Sequence, residues 1–352
     1  MKQSNNVYLF IGYKFPYGNP KFGKNLDVYI FVDALSKVIG KKVKTYYLKG
    51  KKNESKDIID FCQKIKPNFI FFNLINDEIG IDCLLKLKSL YTTINWFGDD
   101  QWRFESFSSK ISKYFTYSIT TDKFSIEKYK KIGINVIYSQ WGAIDHNKSE
   151  LDFKNLEYKY DVTFVGGYSY TREWLIEYLR NNDINVKVFG NGWNKEQSFL
   201  DYNEISNIFY LSKVNLNLSN SVPKDLDFIK FFVRKFLKNI TSFKNFKLLL
   251  KAIKFFFFYK KSTEQIKARN FEIPIAGGFQ ISNYCISLED FLEIGKEVVV
   301  FNTKEELLTQ VRYFLANNIE RNMIRNKAYI ESRKNTYENR FRNFLNKITE
   351  NI

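Results

Sequence analysis

Sixteen residues, Glu264 to Phe279 (EQIKARNFEIPIAGGF), hold three kinds of chemistry. Glu264 and Glu272, with seven residues between them, are carboxylates able to accept hydrogen bonds from sugar or ribose hydroxyls. Lys267 and Arg269 lie between them and could neutralise a diphosphate. Gly277-Gly278 follows, and a glycine pair lets a ligand come close to backbone N–H groups. The same spacing suits an ordinary amphipathic helix that ends in a glycine turn. Pro274 weighs against that, because it puts Glu272-Ile273 at a turn or in the first turn of a new helix.

Such residues need a frame, and the rest of the chain supplies one. Short apolar runs at Val7–Ile11, Val43–Leu48, Asn68–Asn73, Thr93–Phe97, Tyr117–Thr121 and Val136–Gln140 read as strands. Helical patterns fall between them, near 25–39, 56–65, 83–91 and 125–133. Strand–helix alternation predicts a parallel sheet covered by helices on both faces, with ligands beyond the carboxyl ends of its strands. At that edge the first run is closed by Gly12 and the fourth by Gly98-Asp99-Asp100, then Trp102-Arg103. Either aspartate could orient an acceptor hydroxyl or take its proton; either could equally be a helix N-cap. A polar stretch, Gly142–Asn155, reads as a linker and contains His146, the one histidine. A single, solvated histidine argues against Ser/His or Cys/His hydrolysis.

A second alternating pattern starts at Tyr160. The strand Asp161–Val165 ends in Gly166-Gly167, and a helix with Arg172 in its first turn follows. Strand, glycine pair and helix N-terminus together favour an anion. The next strand, Val186–Phe189, ends in Gly190-Asn191-Gly192 beside Trp193, which could pack on a base or fill the core. Further on, Val214–Leu218 and Glu297–Phe301 read as strands, and helices over roughly 320–334 and 336–348 finish the chain.

Between these elements, Lys224–Lys261 is crowded with Phe and Lys. Lys230, Arg234 and Lys238 recur every four residues, and Lys244, Lys247, Lys251 and Lys254 every three or four. That predicts two basic amphipathic helices with a turn near 239–242, read as a hairpin for an anionic membrane surface. A helical insertion packing its Phe residues on its own domain is the plainer alternative.

Composition bounds the rest. A chain of 352 residues exceeds the usual size of one core, so two domains are expected. The net charge of +17 suits anionic ligands or surfaces. Three scattered cysteines, Cys62, Cys83 and Cys285, imply neither a disulfide framework nor a metal site. The start has no long apolar run or small-residue cleavage site, and no apolar run is long enough to span a bilayer; a cytoplasmic protein is expected.

The motifs DVTFVGGYSYTREWLIEYL, VKVFGNGW, SKVNLNLS, QIKARNFEIPIAGGF and EIGKEVVVF resemble the CgeB-like (spore maturation protein) glycosyltransferases, of the group-one, GT-B type. TINWFGDDQWRF and SITTDKFSIEKYKKIG resemble the N-terminal half of the same family. The likeness covers most of the chain apart from 224–261. It implies an α/β GT-B fold: two Rossmann-like domains facing across a cleft, residues 1–157 for the acceptor and 158–333 for a nucleotide sugar. A last helix, 334–352, would cross back to the first domain.

In such enzymes Glu272 would bind ribose and Glu264 the sugar. Arg269, with Lys267 or Arg172, would hold the diphosphate, and Gly166, Gly167, Gly190, Trp193, Gly277 and Gly278 would line the donor site. Asp99 and Asp100 stand where many relatives carry a histidine, with Gly12, Trp102 and Arg103 on the acceptor side. The resemblance implies sugar transfer from a nucleotide diphosphate sugar to a glycan, lipid-linked or protein hydroxyl, with no metal or other cofactor. Lys230, Arg234, Lys238, Lys247, Lys251 and Lys254 would hold it at the inner face of the plasma membrane. No nucleic acid is expected as partner. Two other classes stay open: a nucleotide-sugar-binding protein without turnover, and a basic nucleic-acid-binding protein whose affinity would fall steeply with salt.

Overall fold

A computed structural model describes residues 6–50, 54–145, 156–193 and 200–350. His146 and most of the expected linker lie outside the described residues. The described residues of Met1–Ile144 with Asn335–Ile352 make one compact unit, and those of Asp145–Lys334 make a second.

In the first unit the strands β1 (Tyr8–Tyr13), β2 (Lys44–Leu48), β3 (Phe69–Phe72), β4 (Thr92–Phe97), β5 (Tyr117–Thr120) and β6 (Val136–Tyr138) form one sheet. Its order is β2-β1-β3-β4-β5-β6, and every pairing is parallel. Helices α1 (Leu26–Ile39), α2 (Glu54–Ile65) and α3 (Ile81–Leu90) connect successive strands. Beyond β4 come α4 (Asp100–Arg103), a π-helical turn over Phe104–Ser108 and α5 (Ser109–Ile111); α6 (Ser125–Lys131) links β5 to β6. The strands are apolar runs because helices cover both faces, as all four residues of β3 show by being buried. Gly12 corrects the expected turn: it lies inside β1, in register with Tyr47.

The second unit has β7 (Tyr160–Val165), β8 (Val186–Phe189), β9 (Ser212–Asn217), β10 (Gln280–Asn283) and β11 (Val299–Phe301), again all parallel, in the order β11-β10-β9-β7-β8. Its helices are α7 (Tyr170–Arg180), α8 (Tyr202–Tyr210), α9 (Asp227–Leu237), α10 (Phe243–Phe258), α11 (Arg269–Ile275), α12 (Lys304–Ala316) and α13 (Asn318–Ser332). α9 and α10 form a hairpin between β9 and α11.

The last helix, α14 (Tyr337–Glu350), packs in the first unit, against α1. Tyr337, Phe341, Phe344, Leu345 and Ile348 are all buried, a stripe at helical spacing. Tyr337 and Phe341 both meet the Phe31 ring, each with centroids 5.2 Å apart. The chain enters this helix alongside Ala143, whose N–H donates to Asn335 O and whose carbonyl accepts from Tyr337 N–H, both at 3.0 Å. Gly142 makes that approach possible, since a Cβ there would stand 2.8 Å from the Tyr337 nitrogen.

Candidate functional site

The chemistry of the second unit gathers at the carboxyl ends of β7, β8 and β9. β7 ends in Gly166-Gly167, and Ser169 caps α7 by accepting from the Arg172 N–H. The Arg172 side chain turns back over the strand ends. Its Nε donates to Leu218 O at 2.9 Å and its Nη1 to Gly167 O at 2.8 Å, with the guanidinium 5.2 Å above the Phe164 ring. Burial, then the nearby Arg269 charge, pulls its pKa down to about 10, while Glu264 pulls the other way. Arg172 therefore remains a cation at neutral pH, fixed in place before any ligand arrives.

Arg269 opens α11. Its guanidinium lies 5.0 Å above the Phe209 ring and pairs with Glu272, Nη1 to Oε2 at 2.7 Å. Pro274 sits inside α11 and cannot donate to the carbonyl of Asn270, which instead accepts from Gln280 Nε2 at 3.5 Å. Glu264 is half-buried near Ser219 and Ser221 and near the charges of Lys261 and Arg172, with its Oε2 buried and unpartnered among the described residues. Burial is the largest influence on it and raises its pKa. Two guanidinium groups within electrostatic reach of each other, flanked by two carboxylates, make a site for a polyanion that also carries hydroxyls.

The turn after β8 completes this edge. Gly190 has φ +127°, and a Cβ there would stand 2.4 Å from Gly166 O, so only glycine lets the two turns touch. Trp193 donates from Nε1 to Gly166 O at 2.8 Å and packs edge-on against Phe164 and Tyr168. It thus locks the β7 turn in place through its indole nitrogen. Gly167 is the open residue of the pair: a Cβ there would meet only Asn191 O, at 3.9 Å. Lys267 is half-exposed just before α11, and its N–H donates to Asn270 Oδ1 at 3.0 Å.

Gly277-Gly278 needs correction. Its two N–H groups donate to Pro274 O at 2.8 Å and Ile273 O at 2.9 Å, which closes α11. The Gly277 carbonyl accepts from the buried Arg325. A Cβ on Gly278 would meet Asn215 and Ile273 within 2.9 Å. The pair caps a helix and packs it against β9, so its N–H groups are not presented to a ligand.

Asp100 is also corrected. It is 1% exposed, and its Oδ2 accepts from Thr120 Oγ1 at 2.6 Å and from Tyr129 OH at 2.9 Å. Burial raises its pKa to about 6 against the hydrogen bonds of Ser108, Thr120 and Tyr129. It points into the first unit and ties β4 to β5 and α6, where no acceptor can reach it. Asp99 is half-exposed at the end of β4; its carbonyl, not its carboxylate, caps α4 by accepting from Trp102 and Arg103 N–H. Arg103 stacks 4.5 Å above Phe107 and donates to Asn76 Oδ1 at 3.2 Å. Trp102 beside it is half-buried, and Gly12 packs against Phe10 and Val28. Among the described residues no group of acidic, histidine and cysteine side chains could hold a metal ion.

Sequence reasoning passes over Ser219, Ser221, Lys261 and Phe209. Ser221 Oγ donates to Thr263 O at 2.9 Å, and the buried Lys261 donates to Asn220 Oδ1 at 2.6 Å. The signal was available: SNS directly follows a strand, at the same edge as the two glycine turns. An open cavity of about 290 Å³ lined by Tyr158, Tyr160 and Lys187 lies at the opposite edge, at the amino ends of β7 and β8.

The family described as glycosyl transferase-like matches residues 172–346, which include Arg172, Glu264, Arg269 and Glu272. The protein is a glycosyltransferase of the GT-B fold. The fold is that of a Rickettsia africae glycosyltransferase, at a TM-score of 0.59 and 10% identity over 97% of this chain and 98% of that one. Anabaena Alr3699/HepE, solved with UDP-glucose, gives a TM-score of 0.57 at 8% identity over 99% and 100%. Sucrose-phosphate synthase of Thermosynechococcus elongatus gives 0.54 at 10% identity over 98% of each chain. Among curated proteins no match is found.

Proposed function

We propose that this glycosyltransferase takes its sugar from a nucleoside diphosphate sugar held at the carboxyl edge of β7, β8 and β9. The acceptor is a hydroxyl of a glycan, a lipid-linked saccharide or a protein, in the cytoplasm, in the manufacture of cell-surface glycans. The quoted motifs support a place in the CgeB-like branch. The observation that carries the reading is the pairing of two guanidinium groups, Arg172 and Arg269, with the carboxylates of Glu264 and Glu272.

In the reaction the bond between the anomeric carbon and the diphosphate oxygen breaks, and its electron pair leaves with the diphosphate. The acceptor oxygen bonds to the anomeric carbon and gives up its proton. Arg172 and Arg269 sit where the leaving charge develops and serve that charge without a metal. Glu264, with a carboxylate oxygen left unpartnered among the described residues, accepts from sugar hydroxyls, and Glu272 accepts from the ribose while steadying Arg269. Asp99 is the carboxylate at the β4 edge that takes the acceptor's proton.

Thermal unfolding with a panel of nucleoside diphosphates tests the donor site, starting with uridine because the Anabaena structure holds UDP-glucose. Ligand at about 100 times its dissociation constant adds about 2.7 kcal/mol, a rise of a few degrees in a chain this long. The rise is expected with one base and is lost in Arg172→Ala. No rise with any nucleotide would remove the donor assignment. Asp99→Asn is expected to keep the rise and lose turnover.

A further inference from the structure

The α9–α10 hairpin has three faces where an ordinary surface hairpin has two. Phe228, Phe232 and Ala252 are buried, and Leu248, Leu249 and Phe256 pack on the core of the second unit. Opposite them runs a second apolar row on α10, Phe243, Phe246, Leu250 and Phe257, at spacings of three, four and seven. These four side chains are 41 to 66% exposed. In a third row Lys244, Lys247 and Lys251 each follow a member of that row by one position, about 100° around the axis, and Lys254 continues the lysine row. All four lysines are exposed. At the tip of the hairpin Leu237 and Ile240 are exposed as well, next to Lys238.

Charge says what fits there. From Phe228 to Thr263 the chain has ten lysines and arginines and no aspartate or glutamate. Lys235 pairs with Glu173 and Lys230 with Asp227, both outside the run; the α10 row has no carboxylate on its own helix. A second copy of this face would meet like charge. A nucleic acid would match the lysines, yet Leu250, Leu237 and Ile240 have no π-face to offer a base. An anionic lipid surface matches both rows at once, taking the apolar row into the acyl boundary while the lysines stay at headgroup level. Among the described residues no helix is long and apolar enough to cross a membrane, so this face lies along the surface.

We propose that the exposed face of α10, with the tip of the hairpin, docks the protein on an anionic bilayer. The proposal stands independently of the transferase reading, since it rests on the hairpin alone. It is tested with vesicles of phosphatidylcholine, with and without phosphatidylglycerol, by co-sedimentation of the full chain. Binding is expected only with the anionic lipid and should weaken as salt rises. K244E/K247E/K251E should lower partitioning on the order of a hundredfold. F246S/L250S/F257S should lower it to a similar degree. Both variants alter exposed side chains, and unchanged thermal unfolding shows that they fold. Phe257→Trp, read as the difference in emission from the wild type with its five tryptophans, should add a signal that shifts to the blue with vesicles.

No partitioning of the wild type would overturn the proposal. So would partitioning that both triple variants retain, or a Phe257→Trp difference emission that does not shift in the bound protein. Tight, salt-sensitive binding to duplex DNA with none to vesicles would replace the lipid with nucleic acid. A wild-type dimer that F246S/L250S/F257S dissolves, without vesicle binding, would make the row a self-contact.

Discussion

Arg269 and Glu272 stand one helical turn apart on α11 and close an ion pair of 2.7 Å. Both are mostly buried, at 23% and 10% side-chain exposure, so neither is readily solvated alone. Arg269→Ala leaves the Glu272 carboxylate buried without its partner and should cost about 3 kcal/mol of stability. Glu272→Gln on that background should recover most of the loss, because the stranded charge is gone. A double-mutant cycle by urea unfolding measures the difference. Full additivity of the two changes would mean that the pair is not coupled.

Arg172 is held by two carbonyls, Leu218 O and Gly167 O, which fix its guanidinium at the strand edge. Arg172→Lys keeps the charge but cannot reproduce that fork. It should weaken nucleoside diphosphate binding by about tenfold, and Arg172→Ala by about a hundredfold, read by calorimetric titration. Equal affinities for the lysine and arginine forms would show that only the net charge matters.

Asp100 sets a pH dependence of stability. Its carboxyl has a folded pKa of about 6 against an ordinary 3.8, so the native state holds its proton more tightly than the unfolded chain. Its contribution is full below about pH 3.8 and is lost as the pH rises through 6. Asp100→Asn removes that dependence. Relative to wild type the variant should therefore gain about 2–3 kcal/mol between pH 4 and pH 7, measured by urea unfolding at each pH. A constant difference across that range would show that the buried carboxyl does not titrate there.

Gly190→Ala places a methyl group 2.4 Å from Gly166 O at a φ of +127°. Roughly 2–4 kcal/mol of stability should go, with loss of nucleotide binding, because the β7 turn has to move. Wild-type stability in this variant would mean that the two turns can part without cost.

The strands of the first unit are legible in the sequence because parallel strands buried on both faces read as unbroken apolar runs. β10 escapes the same reading. Its Gln280, Ser282 and Asn283 are polar, and Ser282 is buried only because Asn217 and Asn270 donate to its hydroxyl. Arg172, Arg269 and Glu264 are found by residue type and by their distance from glycine turns. What spacing cannot convey is where a backbone N–H is used up, as at Gly277-Gly278, or which way a carboxylate points, as at Asp100. Both depend on neighbours 20 or more residues away or on a helix whose bounds are set by packing. The hairpin is half legible: the lysine rows are periodic, but which Phe residues are covered depends on the core beneath them.

One backbone contact at the foot of the hairpin has a bearing on how the chain could have been assembled. Val222 N–H donates to Lys261 O at 2.9 Å, so the polypeptide leaves and re-enters the second unit at a single point. The residues from 223 to 260 make an excursion that spans no distance, and a tight turn could close the same gap with about 2 kcal/mol less loop entropy to overcome. Glu264, three residues past that point, would keep its path. A shortened chain would lose the roof that Phe228 makes over Trp174, centroids 5.9 Å apart, and the rings of Phe232 and Phe255 against Tyr170. Removal would also take Asp225 and Asp227 from the buried Lys304 and Lys235 from Glu173, so the excursion is anchored in the charge pairing of the second unit as well as in its core.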